Sequence, residues 1–291
     1  MRAEDGERIA AALGGAVRRA TTLAGGYSHE TVLLELADRR VVARFGGGDP
    51  AIEAAVMRLA PVPVPEVLLV EADAMAIAFV EGTVLSRVLE ERPDDAEGLG
   101  REVGRVIARI GDVRFDAPGF FTDATLTPGA QPPWSEQLVP FVEQCMAKTE
   151  RLTPGERAAW LRRCAEQAPR LTAVEGGARL AHGDVNPKNI LVTRGADGWR
   201  VTAVLDWEFA YAGSPYGDAA NMARFGDGYP PGFLDGFDEA FAAHEPRHPE
   251  WREIGRVLDM FALSDLVTRP PGNDVADQAA AIIRSPWNVH L

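Results

Sequence analysis

A chain of 291 residues with 46% hydrophobic and 25% charged side chains has the composition of a globular protein with a substantial core, and its length suggests two lobes at roughly 150 residues each. Its 43 acidic against 30 basic side chains, a formal net charge of −13, argue against nucleic acid or an anionic membrane as partner and suit a cationic ligand, or simply solubility. Cys145 and Cys164 are the only cysteines and belong to no CxxC or Cys/His cluster, which speaks against structural zinc or a disulfide framework and for a reducing cytoplasm.

The opening "MRAEDGERIAAALGG" mixes acids into its charges, lacks an apolar h-region, and reads as a first helix rather than a signal peptide. Three β-leaning runs follow, around Val17–Leu23, Thr31–Leu36 and Arg40–Phe45, punctuated by Gly25-Gly26 and Asp38 as in a meander. Asp49 suits an N-cap and Pro50 the first helical position, predicting a helix over Pro50–Leu59. Two more strands, Glu66–Val70 and Met75–Val80, complete a first lobe that ends near Gly82. Beyond it the pattern is mostly helical. Leu99, Val103, Val106, Ile107 and Ile110 recur at helical spacing. Further helices are predicted around Trp134–Lys148, Pro154–Leu171, Gly217–Ala223, Gly232–Ala243, Glu250–Thr268 and Ala276–Arg284, with two strands, Ile190–Thr193 and Arg200–Leu205, among them. The Gly-, Thr- and Pro-rich segment Pro118–Pro133 is the expected flexible loop, and no run approaches the ~20 apolar residues of a membrane span.

The stretch "LAHGDVNPKNILVTRGADGWRVTAVLDWEFA" sets Asp184, Asn189 and Asp206 at the ends of short apolar runs. His182-Gly183-Asp184, with Asn189 five positions on, and Asp206-Trp207-Glu208 seventeen residues further, match the catalytic loop and second metal motif of the aminoglycoside phosphotransferase family. Gly213, Pro215 and Asp218 echo its next motif, with Ser214 in place of the first acid. The chain is therefore identified as resembling that family of protein-kinase-like small-molecule kinases, firmly over residues 180 to 222. The resemblance implies an α+β, bilobal protein-kinase-like fold: a small β-rich nucleotide lobe (residues 1–82) and a larger, mostly helical lobe (residues 83–291) carrying catalytic loop, metal site and acceptor pocket.

Phosphoryl transfer asks a protein to position groups and neutralise charge. Magnesium takes hard oxygen ligands, one or two of them from protein. Asn189 and Asp206 are the candidate Mg2+ ligands and Asp184 the candidate base; the structural alternative is that all three are turn formers. His182 and Asp218 suit a bracing role. Upstream, Gly25, Gly26, Tyr27 and Ser28 lie where a phosphate-covering turn belongs, although the same residues also make an ordinary hairpin turn. "VVARF" offers Arg44 where a lysine is usual; an arginine can grip phosphate bidentately, and Glu53 is its natural partner. Phe79, Val80 and Glu81 of the connector are candidates to meet the base of ATP or GTP. Asn186 stands where protein kinases place a lysine, and only eleven residues separate Asp206 from Asp218, too few for the segment that holds a protein substrate. The expected acceptor is thus a cationic small molecule such as an aminoglycoside, with Glu208, Asp235, Asp259 and Asp265 as candidate contacts, Asp238 and Glu239 beside them, and each also explicable as a solvated helix face. Kinases of macrolides, basic peptides, choline or homoserine, and a non-catalytic nucleotide-binding module, are the alternatives. A monomer is assumed.

Overall fold

The computed structural model describes residues 3–23, 29–245 and 247–285. Helix α1 (Ala3–Ala12) precedes the strands β1 (Arg19–Leu23), β2 (His29–Glu35) and β3 (Arg40–Gly46). Helix α2 (Pro50–Leu59) is started by the Asp49 carboxylate, which accepts from the Ala51 N–H at 2.8 Å, with Pro50 in the first turn. Strands β4 (Val67–Val70) and β5 (Ala74–Ala78) complete an antiparallel sheet in the order β1-β2-β3-β5-β4. The strand period of two decides what each face carries. On β3, Val41 and Ala43 are buried in one cluster with Ile9 and Ala10 of α1, whereas Arg44 falls on the opposite face with Val42. That alternation is what turns a guanidinium toward α2 and the second lobe.

Past the connector come β6 (Thr83–Val84), α3 (Leu85–Glu91), α4 (Ala96–Ile110), β7 (Arg114–Phe115), β8 (Gly119–Phe120), α5 (Trp134–Lys148) and α6 (Pro154–Gln167). The strands β9 (Ala178–Ala181), β10 (Ile190–Gly195), β11 (Gly198–Val204) and β12 (Tyr211–Gly213) follow, then α7 (Pro215–Ala223), α8 (Phe233–Ala243), α9 (Trp251–Leu266) and α10 (Asp274–Arg284). The strands form two small sheets, β11-β10-β6 and β7-β9-β12-β8. Helices α5, α6, α9 and α10 share one buried cluster; α4, α8 and α2 contribute to another that also contains Trp207. Helices α4 and α8 approach so closely that a Cβ on Gly104 would lie 2.3 Å from the Phe237 carbonyl oxygen, so a side chain there would force them apart. The architecture is α+β and bilobal, a small sheet-rich lobe beside a larger helical one, and protein-kinase-like.

Two features differ from the sequence reading. The short elements α3, β7, β8, β9 and β12 were not expected, since two to seven residues carry too little periodicity to announce themselves. The segment Pro118–Pro133 is tied down: Phe121 and Leu126 are buried, and Asp123 accepts from the Thr125 N–H at 2.8 Å. No helix among the described residues is long and apolar enough to cross a membrane. Cys145 and Cys164 are buried and free.

Candidate active site

The loop after β9 is braced from behind. Asp218, buried in the first turn of α7, accepts from the backbone N–H groups of His182 at 2.9 Å and Gly183 at 2.9 Å. His182 is fully buried against Trp207, ring centroids 4.6 Å apart. Its Nδ1 accepts from the Asp184 N–H at 3.2 Å, which leaves Nε2 to donate to the Leu205 carbonyl at 2.9 Å. Burial pushes the His182 pKa below its ordinary value, in keeping with that neutral tautomer. Gly183 adopts φ +82°, and a Cβ there would lie 2.4 Å from the Phe209 carbonyl oxygen. These constraints set Asp184 at the loop's tip. Burial raises its carboxyl pKa, opposed by the nearby Arg224 guanidinium and reinforced by the charge of Asp206.

Asn189 Nδ2 donates to the Asp184 carbonyl at 3.0 Å and to Asp184 Oδ2 at 3.1 Å. The Leu205 N–H donates to the Asn189 carbonyl at 2.8 Å, so Asp206 begins just where the β10–β11 ladder ends opposite Asn189. Asp206 itself has φ 67°, an uncommon conformation for a residue with a side chain and one that recurs at functional sites. Arg44 Nη2 donates to Asp206 Oδ1 at 2.7 Å, while Nη1 is hydrogen-bonded to Glu53 Oε1. Glu53 also accepts from the Trp207 N–H at 3.1 Å, and burial raises its pKa against the pull of Arg44. One network thus joins β3, α2 and the residues after β11 across the cleft.

Among the described residues, no cluster of three or more His, Cys, Asp or Glu side chains could hold a metal by itself. The donor set fits magnesium nonetheless. Asn189 spends its amide nitrogen on Asp184, which leaves its side-chain carbonyl oxygen for a cation, and Asp206, near enough to act electrostatically on Asp184, offers a carboxylate; these are hard oxygen ligands of the number magnesium takes from protein.

In the connector, the Phe79 N–H donates to the Arg40 carbonyl at 3.3 Å and the Glu81 carbonyl accepts from Thr202 Oγ1 at 3.2 Å. The Phe79 carbonyl and the Glu81 N–H, an acceptor and a donor two residues apart, make no other backbone bond among the described residues. The Arg40 guanidinium lies 4.0 Å over the Phe79 ring and pairs with the Glu81 carboxylate. Gly25, Gly26, Tyr27 and Ser28 lie outside the described residues.

The four acids expected around an acceptor do not converge. Glu208 accepts from the Gly48 N–H at 3.2 Å, turned toward the first lobe. Asp235 and Asp265 are exposed. Asp259 is buried in an ion pair with Arg224, whose Nε–H donates to it at 2.9 Å, and it accepts from Asn221 Nδ2 at 3.0 Å. Of the neighbouring acids, Glu239 pairs with Arg101 on the outside, and Asp238 with Arg252 at 2.7 Å. Arg224, one residue beyond α7, is the residue sequence reasoning missed: it pairs with Asp259, acts electrostatically on Asp184, and lines a cavity of about 300 Å³ enclosed by α6, α7, α8, α9 and α10. No local motif marks it.

Fold and site together define the class of kinase-like enzymes that act on small molecules. The model of the phosphotransferase enzyme family APH matches residues 19–254, and the chain belongs to that family. Among solved structures, it is similar to a thermostable mutant of the aminoglycoside phosphotransferase APH(4)-Ia in ternary complex with ADP and hygromycin B, at 18% identity and a TM-score of 0.72, covering 96% of this chain and 97% of that one. A putative fructosamine-3-kinase from Thermobifida fusca YX-ER1 is similar at 20% identity and a TM-score of 0.67, covering 96% and 99%. The macrolide 2'-phosphotransferase MphH from Brachybacterium faecium is similar at 18% identity and a TM-score of 0.63, covering 97% and 98%. No curated protein matches the chain at a significant level.

Proposed function

We propose that the protein transfers the γ-phosphoryl group of ATP to a hydroxyl of a small molecule. The observation that carries this reading is the convergence of Asp184, Asn189 and Asp206 at the cleft, with Arg44 reaching Asp206 at 2.7 Å from the other lobe. The acceptor oxygen attacks the γ-phosphorus, the bond from that phosphorus to the bridging oxygen breaks, and ADP leaves with the electron pair. Asp184 receives the hydroxyl proton. Its raised pKa makes it a stronger base than an exposed aspartate, and its bonds from Asn189 hold it in place.

Asn189 and Asp206 would hold Mg2+, which when bound neutralises charge on the phosphate oxygens. Arg44, fixed by Glu53, supplies the cation that a lysine supplies elsewhere. The Phe79 carbonyl and the Glu81 N–H offer an adenine edge the acceptor and donor it needs, favouring ATP over GTP, and a neighbour bound to ADP supports the same nucleotide. In this reading residues 1–82 form the nucleotide lobe, with Gly25, Gly26, Tyr27 and Ser28 over the phosphates, and residues 83–291 supply the rest. Two buried free thiols suit the reducing cytoplasm. A polycationic aminoglycoside as acceptor draws support from the neighbour that binds hygromycin B, but the scattering of the acids weighs against it.

The test follows ADP or GDP release with Mg2+, ATP or GTP, and a panel of antibiotics, hydroxy acids and amino alcohols. Acceptor-dependent release, cut at least ~10²-fold in Asp184→Ala with nucleotide affinity retained, is the expected result. Nucleotide binding without turnover across the panel would establish the non-catalytic module instead.

A further inference from the structure

Among the described residues three large apolar side chains are exposed: Leu59, Phe120 at 56% and Phe209 at 48%. The two rings belong to one end of the sheet β7-β9-β12-β8. There Tyr211 pairs with Ala181 on one side and with Phe120 on the other. Ala181 is the last residue of β9, Tyr211 the first of β12 and Phe120 the last of β8, so all three strands open at that same end. The loop that carries Asp184 leaves from it, and Phe209 comes two residues before β12. A paired residue lies about 5 Å away and two residues of chain span at most about 7 Å, so the Phe120 and Phe209 backbones stand within about 12 Å of each other.

Phe209 lies against the catalytic loop itself. A Cβ on Gly183, the neighbour of Asp184, would stand 2.4 Å from the Phe209 carbonyl oxygen and 3.2 Å from its Cβ. The inner side of that loop is taken by Asp218, which accepts its N–H groups, and by Trp207, packed on His182. The exposed Phe209 side chain therefore belongs to the side that solvent, and an incoming alcohol, can reach. Phe120 is held in place: its ring rests on Tyr211 at 5.5 Å and edge-on against Trp134 at 6.0 Å. A ring fixed in this way binds with little loss of side-chain freedom. Charge offers less here, because Glu208, the acid next to Phe209, is turned to the Gly48 N–H of the first lobe. An acceptor hydroxyl must come within about 3 Å of the Asp184 carboxylate, and the rest of that molecule then meets the surface beside the loop.

We propose that the acceptor is a cyclic alcohol held by its ring face: one flat side, the C–H face of a sugar or an aromatic ring, lies on Phe209 while the hydroxyl is turned toward Asp184, and Phe120 bounds the far side. This rests on the phosphotransferase reading above and narrows its substrate class; the transfer step is unchanged. Selection by rings makes affinity follow flat apolar area, and it responds weakly to salt. A polycation held by acids would respond strongly.

The experiment measures ADP release at saturating ATP and Mg2+ with six alcohols. Phenyl β-D-glucopyranoside has both kinds of ring, methyl β-D-glucopyranoside the sugar alone and phenylethanol the aryl group alone. Sorbitol and choline have no ring, and hygromycin B is the polycation. The expected result is at least one of the three uncharged cyclic alcohols accepted with a kcat/KM about tenfold or more above sorbitol and choline, the single-ring probes telling sugar face from aryl face. For that acceptor Phe209→Ala should raise KM about fivefold or more with kcat within about twofold, Phe120→Ala should raise it too, and Phe209→Tyr, which keeps the ring, should stay near wild type. Its KM should change less than about twofold between roughly 50 and 500 mM KCl. Unaltered ATP KM and urea midpoints show the variants to be folded. Turnover of sorbitol, choline or hygromycin B but of no uncharged cyclic alcohol, a KM unmoved in both alanine variants, or a KM that climbs about tenfold with salt overturns the proposal and leaves the phosphotransferase reading standing. No ADP release with any acceptor, here or across the wider panel, refutes that reading first, and the ring assignment with it.

Discussion

The sharpest perturbation of the site is a single methyl group at Gly183. The residue adopts φ +82°, where a Cβ costs roughly 1–2 kcal/mol through its own backbone. That Cβ would also stand 2.4 Å from the Phe209 carbonyl oxygen, closer than real Cβ contacts come, so one of the two segments must move by more than half an ångström. Both segments are short and tethered. Gly183 donates to Asp218 at 2.9 Å, and Phe209 lies three residues beyond Asp206. Strain and clash together predict that Gly183→Ala loses about 2–4 kcal/mol of stability in urea unfolding. Turnover is expected to fall more than about tenfold, since misplacing reacting groups by an ångström can cost ~10²-fold. Gly98→Ala, in the first turn of α4 with open space around it, is the control, expected to be neutral or stabilising by up to ~1 kcal/mol. Should Gly183→Ala unfold within ~0.5 kcal/mol of wild type and turn over normally, the account of the loop is wrong.

Three further outcomes follow from the same contacts. Asp259→Ala strands the buried Arg224 guanidinium and should cost about 3–5 kcal/mol, most of it regained in the double variant with Arg224→Met; a loss under 1 kcal/mol would mean that the pair is solvated. Burial lowers the His182 pKa, so near pH 6.5 the unfolded chain takes up a proton that the folded chain refuses, and stability falls as the pH drops through that value. Urea midpoints measured from about pH 7.5 down to about 5.5 should fall accordingly, and His182→Asn should flatten that dependence. Asp206→Ala should abolish the metal dependence of nucleotide affinity; equal affinities with and without Mg2+ in the wild-type protein would remove Asp206 from the metal site.

What was legible in the sequence had local causes. Asp49-Pro50 starts α2 because a capping carboxylate and a ring without an N–H both suit a first turn. Leu99, Val103, Val106, Ile107 and Ile110 are all buried because their spacing gives α4 one apolar face. Asp184, Asn189 and Asp206 could be found because one loop and one short hairpin keep their spacing fixed. What escaped depended on distant partners. Arg224 meets Asp259 across 35 residues, and Glu208 reaches Gly48 across 160, relations that no window of sequence contains. Acids on "FLDGFDEAF" and "LDMFALSDLV" invited a cationic pocket because composition counts charges without their partners. The fold pairs Asp238 and Asp259 with arginines and leaves Asp235 and Asp265 in solvent.

Helix α7 ties the loop that carries Asp184 to the wall of the helical cavity. Ser214 caps it by accepting from the Tyr216 N–H at 3.3 Å, a role open to the hydroxyl that stands where the family motif has an acid. From its first turn Asp218 holds the loop that carries Asp184, and just past its last turn Arg224 enters the cavity wall. Six residues at ~1.5 Å each put about 9 Å between those two anchor points, and a helix does not stretch. Gly255 of α9 packs so closely that a Cβ there would lie 2.6 Å from the Tyr216 carbonyl oxygen, which fixes α9 against the same helix. A change that lengthens, shortens or tilts α7 must therefore shift the loop that carries Asp184 relative to the cavity wall that Arg224 lines.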